Sequence, residues 1–273
     1  MNRKIFFPLI AIAAMYIISF SVREKDEDNN DTPVGFEPEM VFVEGETFTM
    51  GCTGEQGEDC WGDEFPSHQV TVSSFQISKN LVTQKQWEAI MGRTIAEQAE
   101  LAGYPDDLYD LYDVGDDYPV YYVSWKDAQE FIQKLNAATG KQYRLATEAE
   151  WEYAARGGNK SQGNKYSGSN DINEVAWYAE NREPTSHPVG TKAPNELGIY
   201  DMSGNSWEWC HDWYGEYTDE TQTNPQGPVE GSTPVLRGGS WYSAAAGCRV
   251  SYRDGSAPGI RADGIGFRLS LVP

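Results

Sequence analysis

Sulfur and carboxylate are the reactive groups this sequence has to offer. It carries four cysteines, Cys52, Cys60, Cys210 and Cys248, and three histidines, His68, His187 and His211. In an oxidising compartment four cysteines allow two disulfides in three connectivities. Cys52 and Cys60 share a Gly-rich loop, so a local staple between them is the expected pair. The histidines are scattered without metal-ligand spacing and read as surface or hydrogen-bonding residues. Asp and Glu number 42 against 21 Lys and Arg, a formal charge of −21. That balance excludes nucleic acid and anionic membrane surfaces as partners, because phosphate binding needs clustered Lys and Arg. Carboxylates in such excess can instead serve calcium.

A different chemistry, recognition, is written into the segment Tyr242 to Gly264. Of its 23 residues, 16 are Tyr, Ser, Gly, Ala or Asp, and none is Lys, Glu, Gln, Asn, Leu, Met or Phe. Such a composition resembles a paratope, where Tyr supplies rigid amphipathic area and small residues supply adaptable hydrogen bonds. The residues expected to meet a ligand are Tyr242, Ser243, Ala244, Ala245, Ser251, Tyr252, Asp254 and Ser256. Those between and after them, Cys248-Arg249-Val250, Arg253, Pro258, Arg261 and Ile265-Gly266-Phe267-Arg268, read as fixed scaffold. Arg237, Arg249 and Arg268 are expected to anchor loops or acidic side chains, and Trp207 and Trp209 to lie in the core.

The elements that must position these residues follow from pattern. Met1-Asn2-Arg3-Lys4 precedes an uncharged, mostly apolar run from Ile5 to Phe20, the basic and hydrophobic regions of an export signal. Cleavage after Ser21 is the favoured outcome. Retention as an anchor is the alternative, and would be the chain's one route to a membrane. Residues 22–37 form an acidic, apolar-poor linker that cannot offset its own ordering entropy. The single expected domain covers residues 38–273. It opens with Met40 to Gly51, where β-formers flank Glu44-Gly45-Glu46 as in a hairpin, and continues with a strand from His68 to Ile77. Thr83 with Gln86, and Thr147 with Glu150, are capping boxes for short helices, and Ser124 caps a longer one ending at Gly140. Residues 96–118 are acidic and Tyr-rich and read as an insertion loop. No helix is expected after Gly158. The class is α+β: a few helices in a loop-rich framework of short strands.

Several segments, in order, resemble the formylglycine-generating enzyme (sulfatase-modifying factor) family. They are Met50-Gly51, Pro119-Val120 with Val123-Ser124-Trp125, residues 143–158 from Tyr143-Arg144-Leu145 to Gly157-Gly158, and residues 195–209 ending Gly204-Asn205-Ser206-Trp207-Glu208-Trp209. Leu236-Arg237-Gly238-Gly239-Ser240-Trp241 and Gly264-Ile265-Gly266-Phe267-Arg268 complete the series. The resemblance implies a C-type-lectin-like fold with short antiparallel strands. It also implies a possible activity: oxidation of a sulfatase cysteine by oxygen with copper(I) held between two thiolates, soft ligands for a soft ion. The family positions of those thiolates fall here on Ser243 and Cys248, so one is lost and copper is not expected. Cys248 and Ser240 are the residual catalytic candidates, with Ser240 better suited to holding a turn. Cys210 and Cys248 read equally as a second disulfide or as separate thiols. The resemblance further places a structural calcium at Asp201, Gly204, Ser206 and Glu208, hard oxygen donors suited to that ion.

The C-terminal tail is similar to the variable proteins of diversity-generating retroelements, whose lectin-fold surface is diversified at adenine-containing codons. The function expected is therefore an exported, periplasmic or cell-surface protein that binds a protein or glycan ligand without catalysis. A formylglycine-generating oxidase and a structural subunit of a surface or secretion apparatus are the alternatives.

Overall fold

The computed structural model describes residues 36–104, 113–181 and 185–272. The expected signal, residues 1–21, and all but the end of the linker lie outside the described residues, as does the centre of the expected insertion loop.

Strands β1 (Met40–Val43), β2 (Thr47–Met50), β3 (His68–Thr71) and β4 (Phe75–Ser78) make the opening of the domain. The expected hairpin over residues 40–51 is not one. β1 pairs with β4 and β2 with β3, Met40 lying opposite Ser78 and Met50 opposite His68. Glu44-Gly45-Glu46 is a bend at which one long strand passes from one sheet to another, and the partner segment, expected as one strand, breaks opposite it at residues 72–74. Any side chain on Gly45 would collide with that partner, whose Ser73 carbonyl carbon lies 2.4 Å from an ideal Cβ.

The helices are α1 (Gln84–Met91), α2 (Ile95–Leu101), α3 (Trp125–Thr139), α4 (Glu148–Ala155) and the single turn α5 (Ile172–Val175). The Thr83, Ser124 and Thr147 hydroxyls each accept from the backbone N–H three residues on, completing the expected caps. Helix α2 corrects the loop reading of residues 96–118. Thr94 and Glu97 form a fourth capping box, and Ile95, Gln98 and Ala99 are buried. Helix α5, capped by Asp171, corrects the expectation of no helix after Gly158.

The remaining strands are β5 (Tyr143–Leu145), β6 (Trp207–Trp213), β7 (Gln222–Thr223), β8 (Pro234–Arg237), β9 (Arg253–Gly255), β10 (Ile265–Gly266) and β11 (Leu269–Leu271). They build three mostly antiparallel sheets, ordered β1-β4-β11-β5, β10-β6-β8-β9 and β2-β3-β7. The fold is α+β and C-type-lectin-like, as the sequence implied. At the centre of one core cluster Trp87 stacks on Phe131 with ring centroids 5.8 Å apart, and Phe267 meets Phe131 edge-on at 5.4 Å.

Strands this short leave much of the core to side-chain bonding. Glu148 and Glu152, one turn apart on α4 and so on one face, are buried and receive Arg253 and Arg237 respectively. Arg249 forms two bonds to Glu64 at 2.6 and 2.7 Å, and Arg268 forms two to Glu208 at 2.6 and 2.8 Å. All four arginines are buried. A buried arginine without such a partner would cost several kcal/mol (about 3–5). These pairs therefore fix where each loop can lie.

Candidate functional site

The segment that follows β8 runs Gly238-Gly239-Ser240 into a tight turn. Both glycines have positive φ, 93° and 75°. Gly239 is also crowded, its ideal Cβ lying 2.8 Å from the Cys248 sulfur. The Ser240 N–H donates to the Ser243 hydroxyl at 2.9 Å, which ties the turn. A short 3-10 turn, Ala245–Cys248, then leads through Arg249 to β9.

From this turn to β9 the segment walls a cavity of about 470 Å³. Six of the eight expected ligand residues line it: Tyr242, Ser243, Ala244, Tyr252, Asp254 and Ser256. Two do not, and these expectations are corrected. Ser251 is fully buried, its hydroxyl donating to Glu64 at 2.6 Å. Ala245 turns inward against the core cluster that holds Cys248, Tyr166 and Tyr178. Trp207, expected in the core, is 8% exposed yet lines the same cavity, whereas Trp209 is core, donating its indole N–H to the Val123 carbonyl at 2.8 Å.

A further wall comes from far away in sequence. Trp61, 60% exposed, directly follows Cys60, the end of the loop closed by the expected Cys52–Cys60 disulfide. Its ring meets Tyr252 edge-on, with centroids 6.0 Å apart and planes at 82°. Trp207 meets Tyr252 from another side at 5.9 Å and 47°. Tyr242 closes the remaining side by lying where Gly264 has no side chain, 2.4 Å from that residue's ideal Cβ. The Arg249–Glu64 pair anchors the Trp61 loop to the segment, since Glu64 also accepts from the Trp61 N–H at 2.8 Å.

The sulfur chemistry is simpler than the sequence allowed. Cys210 and Cys248 are both free and buried in different core clusters, so no second disulfide joins them. Burial pushes the Cys248 thiol up to about 12, which keeps it protonated and poorly nucleophilic at neutral pH.

The model of the sulfatase-modifying factor enzyme 1-like domain matches residues 25–271. The chain belongs to this family. Among curated relatives of this sulfatase-modifying-factor member, the chaperone protein LppX of Paenibacillus barcinonensis is 33% identical over 78% of this chain and 82% of its own length. The formylglycine-generating enzyme of Streptomyces coelicolor is 35% identical over 56% of this chain, which spans 52% of that enzyme. Among solved structures, variable protein 1 of Treponema denticola is 30% identical with a TM-score of 0.73, the match covering 86% of this chain and 95% of that one. PvdO of Pseudomonas aeruginosa is 28% identical with a TM-score of 0.71, covering 87% and 95%.

Two ions implied by this sulfatase-modifying-factor fold can be judged against the side chains present. A copper(I) dithiolate does not fit: one position is a hydroxyl that accepts from its own turn, and the other is a single buried thiol. The calcium set fits in part. Asp201 is buried and pushed up to about 6, first by desolvation, so its charge is incompletely balanced. Against that, both Glu208 oxygens already receive Arg268, and one also receives the Trp151 indole at 2.9 Å. The Ser206 N–H bonds to the Gly204 carbonyl at 2.9 Å. The three histidines stay apart. His187 stacks on Trp177, His68 packs edge-on against Tyr217 and His211 is exposed.

Sequence reading also missed a second cavity, about 380 Å³, under residues 215–228. Glu148, Asp212, Tyr217 and Arg253 are among its lining residues. No local pattern marks it, because its lining is drawn from β2, β3, α4, β6 and β9 as well as from the chain between residues 215 and 228.

Proposed function

We propose that this protein is an exported, noncatalytic binding protein that presents the Trp61–Tyr242–Tyr252 cleft to a ligand. One observation carries the reading. Six of the eight residues singled out in the sequence line one open cavity, while Arg249, Ser251 and Arg253 between them are buried and bonded to carboxylates. Every lining side chain from residues 242–256 can change without disturbing an ion pair. The likeness to the Treponema denticola variable protein supports a diversified surface, and the C-type-lectin-like scaffold supports a protein or glycan as ligand. The test is a peptide and glycan array probed with the purified chain and with Tyr252→Leu and Ala244→Asp variants. Signals lost in both variants are expected; signals indifferent to both would remove the reading. Diversification has its own test in the gene's surroundings: a reverse-transcriptase gene and a near-copy of the 3′ coding sequence differing only at adenines. Absence of both would discard that part alone.

The oxidase alternative is opposed by Ser243 and by the protonated Cys248. The expected result is no aldehyde on a cysteine-bearing sulfatase peptide after copper(I) loading, for the native chain and for Ser243→Cys. Aldehyde from the native chain would reinstate the enzyme. Calcium support at Asp201, Gly204, Ser206 and Glu208 is favoured by the imbalance at Asp201 and opposed by the Glu208–Arg268 pair. Thermal unfolding in calcium and in chelator decides it, an unchanged midpoint removing the ion.

A further inference from the structure

The cleft's walls narrow its ligand further than composition does. This inference rests on the binding reading above and gives the ligand a chemical class. Four aromatic rings, Trp61, Trp207, Tyr242 and Tyr252, surround the space, and among the described residues Asp254 is the sole charged one lining it, with no Lys or Arg. The rings are not coplanar. Tyr252 stands at 82° to Trp61 and 47° to Trp207, with centroids about 6 Å away in both cases.

That geometry distinguishes between ligands. A sugar ring stacks on one broad flat face and then needs several polar side chains directed at its hydroxyls. Here the polar lining is Ser243, Ser256 and Asp254, and Ser243 is already bonded to the Ser240 N–H. Aromatic rings that line one cavity beside a carboxylate instead reward a cation, which a π face attracts within about 6 Å of its centroid, as Tyr252 already does for the Arg249 guanidinium at 5.7 Å. Asp254 is exposed and adds a carboxylate without a counter-cation among the described ion pairs. The chain's charge of −21 draws cations toward the surface as a whole. The fold already uses the same contact internally, with the Arg253 guanidinium 4.0 Å from the Tyr217 ring centroid and 4.4 Å from that of Tyr214.

We infer that the cleft receives an arginine side chain presented by a protein partner, its guanidinium held among the rings of Trp61, Trp207, Tyr242 and Tyr252 and paired with Asp254. Guanidinium is favoured over ammonium because it is planar, weakly hydrated and stacks on aromatic faces while bonding a carboxylate at its edge. The partner's remaining contacts would fall on the small residues at the rim, Ala244 and Gly247.

The test uses the oxidised chain and two short peptides, acetyl-Gly-Arg-Gly-amide and its citrulline counterpart, which keeps the shape and removes the charge. Binding is read from the indole N–H resonances of Trp61 and Trp207. The arginine peptide is expected to bind at least about tenfold more tightly than the citrulline peptide, to weaken as salt is raised, and to weaken in Asp254→Asn and in Tyr252→Leu. Asp254 is exposed, so its variant remains informative if Tyr252→Leu fails to fold. Equal binding of the two peptides, no binding at millimolar concentration, or arginine binding unaffected by Asp254→Asn would overturn the inference. A neutral array ligand whose signal still depends on the cleft would sink the arginine assignment and leave the binding reading intact. No cleft-dependent ligand at all would sink both.

Discussion

Two layers of the same C-terminal segment behave in opposite ways. Beneath it, Arg249, Ser251 and Arg253 are buried and each has an acidic partner. Above it, Tyr242, Ala244, Asp254 and Ser256 face the cleft and take no part in ion pairs. Alternation in β9 separates the layers, with Arg253 pointing in and Asp254 out. The contrast teaches that this scaffold concentrates its constraints below the surface. A buried charge fixes a loop absolutely, because leaving it unpaired is expensive, and that frees the outward residues to vary.

The largest expected effect comes from breaking the lower layer. Arg249→Met leaves Glu64 buried without its cation and should cost about 3–5 kcal/mol in urea unfolding. A loss below about 1 kcal/mol would mean that the layer is not the constraint described. Next is the staple. Cys52→Ser with Cys60→Ser removes the cross-link on a short loop, worth about 2–3 kcal/mol on the chain-entropy account. Ligand affinity should fall with it, since Trp61 directly follows Cys60 and is held in place through it. Stability lost with affinity retained would show that Trp61 is dispensable.

Asp212 gives a smaller effect that sharpens the comparison, because it is buried in the lower layer without an ion pair among the described residues. Burial and the neighbouring Glu148 carboxylate push it up to about 8. Its unfolded value is about 3.9. The folded state therefore keeps this proton across that window, and stability falls as pH rises through it. Asp212→Asn keeps an acceptor for the Glu148 N–H and should flatten that slope, gaining about 1–2 kcal/mol above pH 8. An unchanged pH profile would show that Asp212 is balanced after all. The smallest effect belongs to the upper layer. Ser256→Ala and Ala244→Ser should move stability by no more than about 0.5 kcal/mol while altering ligand affinity. A larger loss would merge the two layers into one.

Much of this is legible in the sequence. The ordered motifs carried the fold, and the capping residues Thr83, Ser124 and Thr147 carried three helices, because capping is a local bond between neighbours. The same signal stood at Thr94 and Glu97 and was obscured by the acidic, Tyr-rich sequence after it. Where pairing is non-local, sequence pattern failed. Glu44-Gly45-Glu46 has the composition of a turn, yet what decides its shape is Ser73. Ser251 has a paratope residue's chemistry, and only the arrival of Glu64 from 187 residues away shows that it is committed inward. Cys210 and Cys248 offered no spacing rule that would separate them into two cores. Trp61 was invisible as a site residue for the same reason: its place on the wall depends on a disulfide, an arginine and a cleft that meet only in three dimensions.

The position of Trp61 bears on inheritance. The cleft is encoded in two distant parts of the gene, one wall near the start of the domain and the others near its end. An exchange of residues 242–256 between relatives would transplant most of the specificity and leave two aromatic walls, Trp61 and Trp207, native to the recipient. A grafted segment would thus be read in the accent of its host. Chimeras that also move residues 52–64 should recover donor specificity more fully than those that move the tail alone.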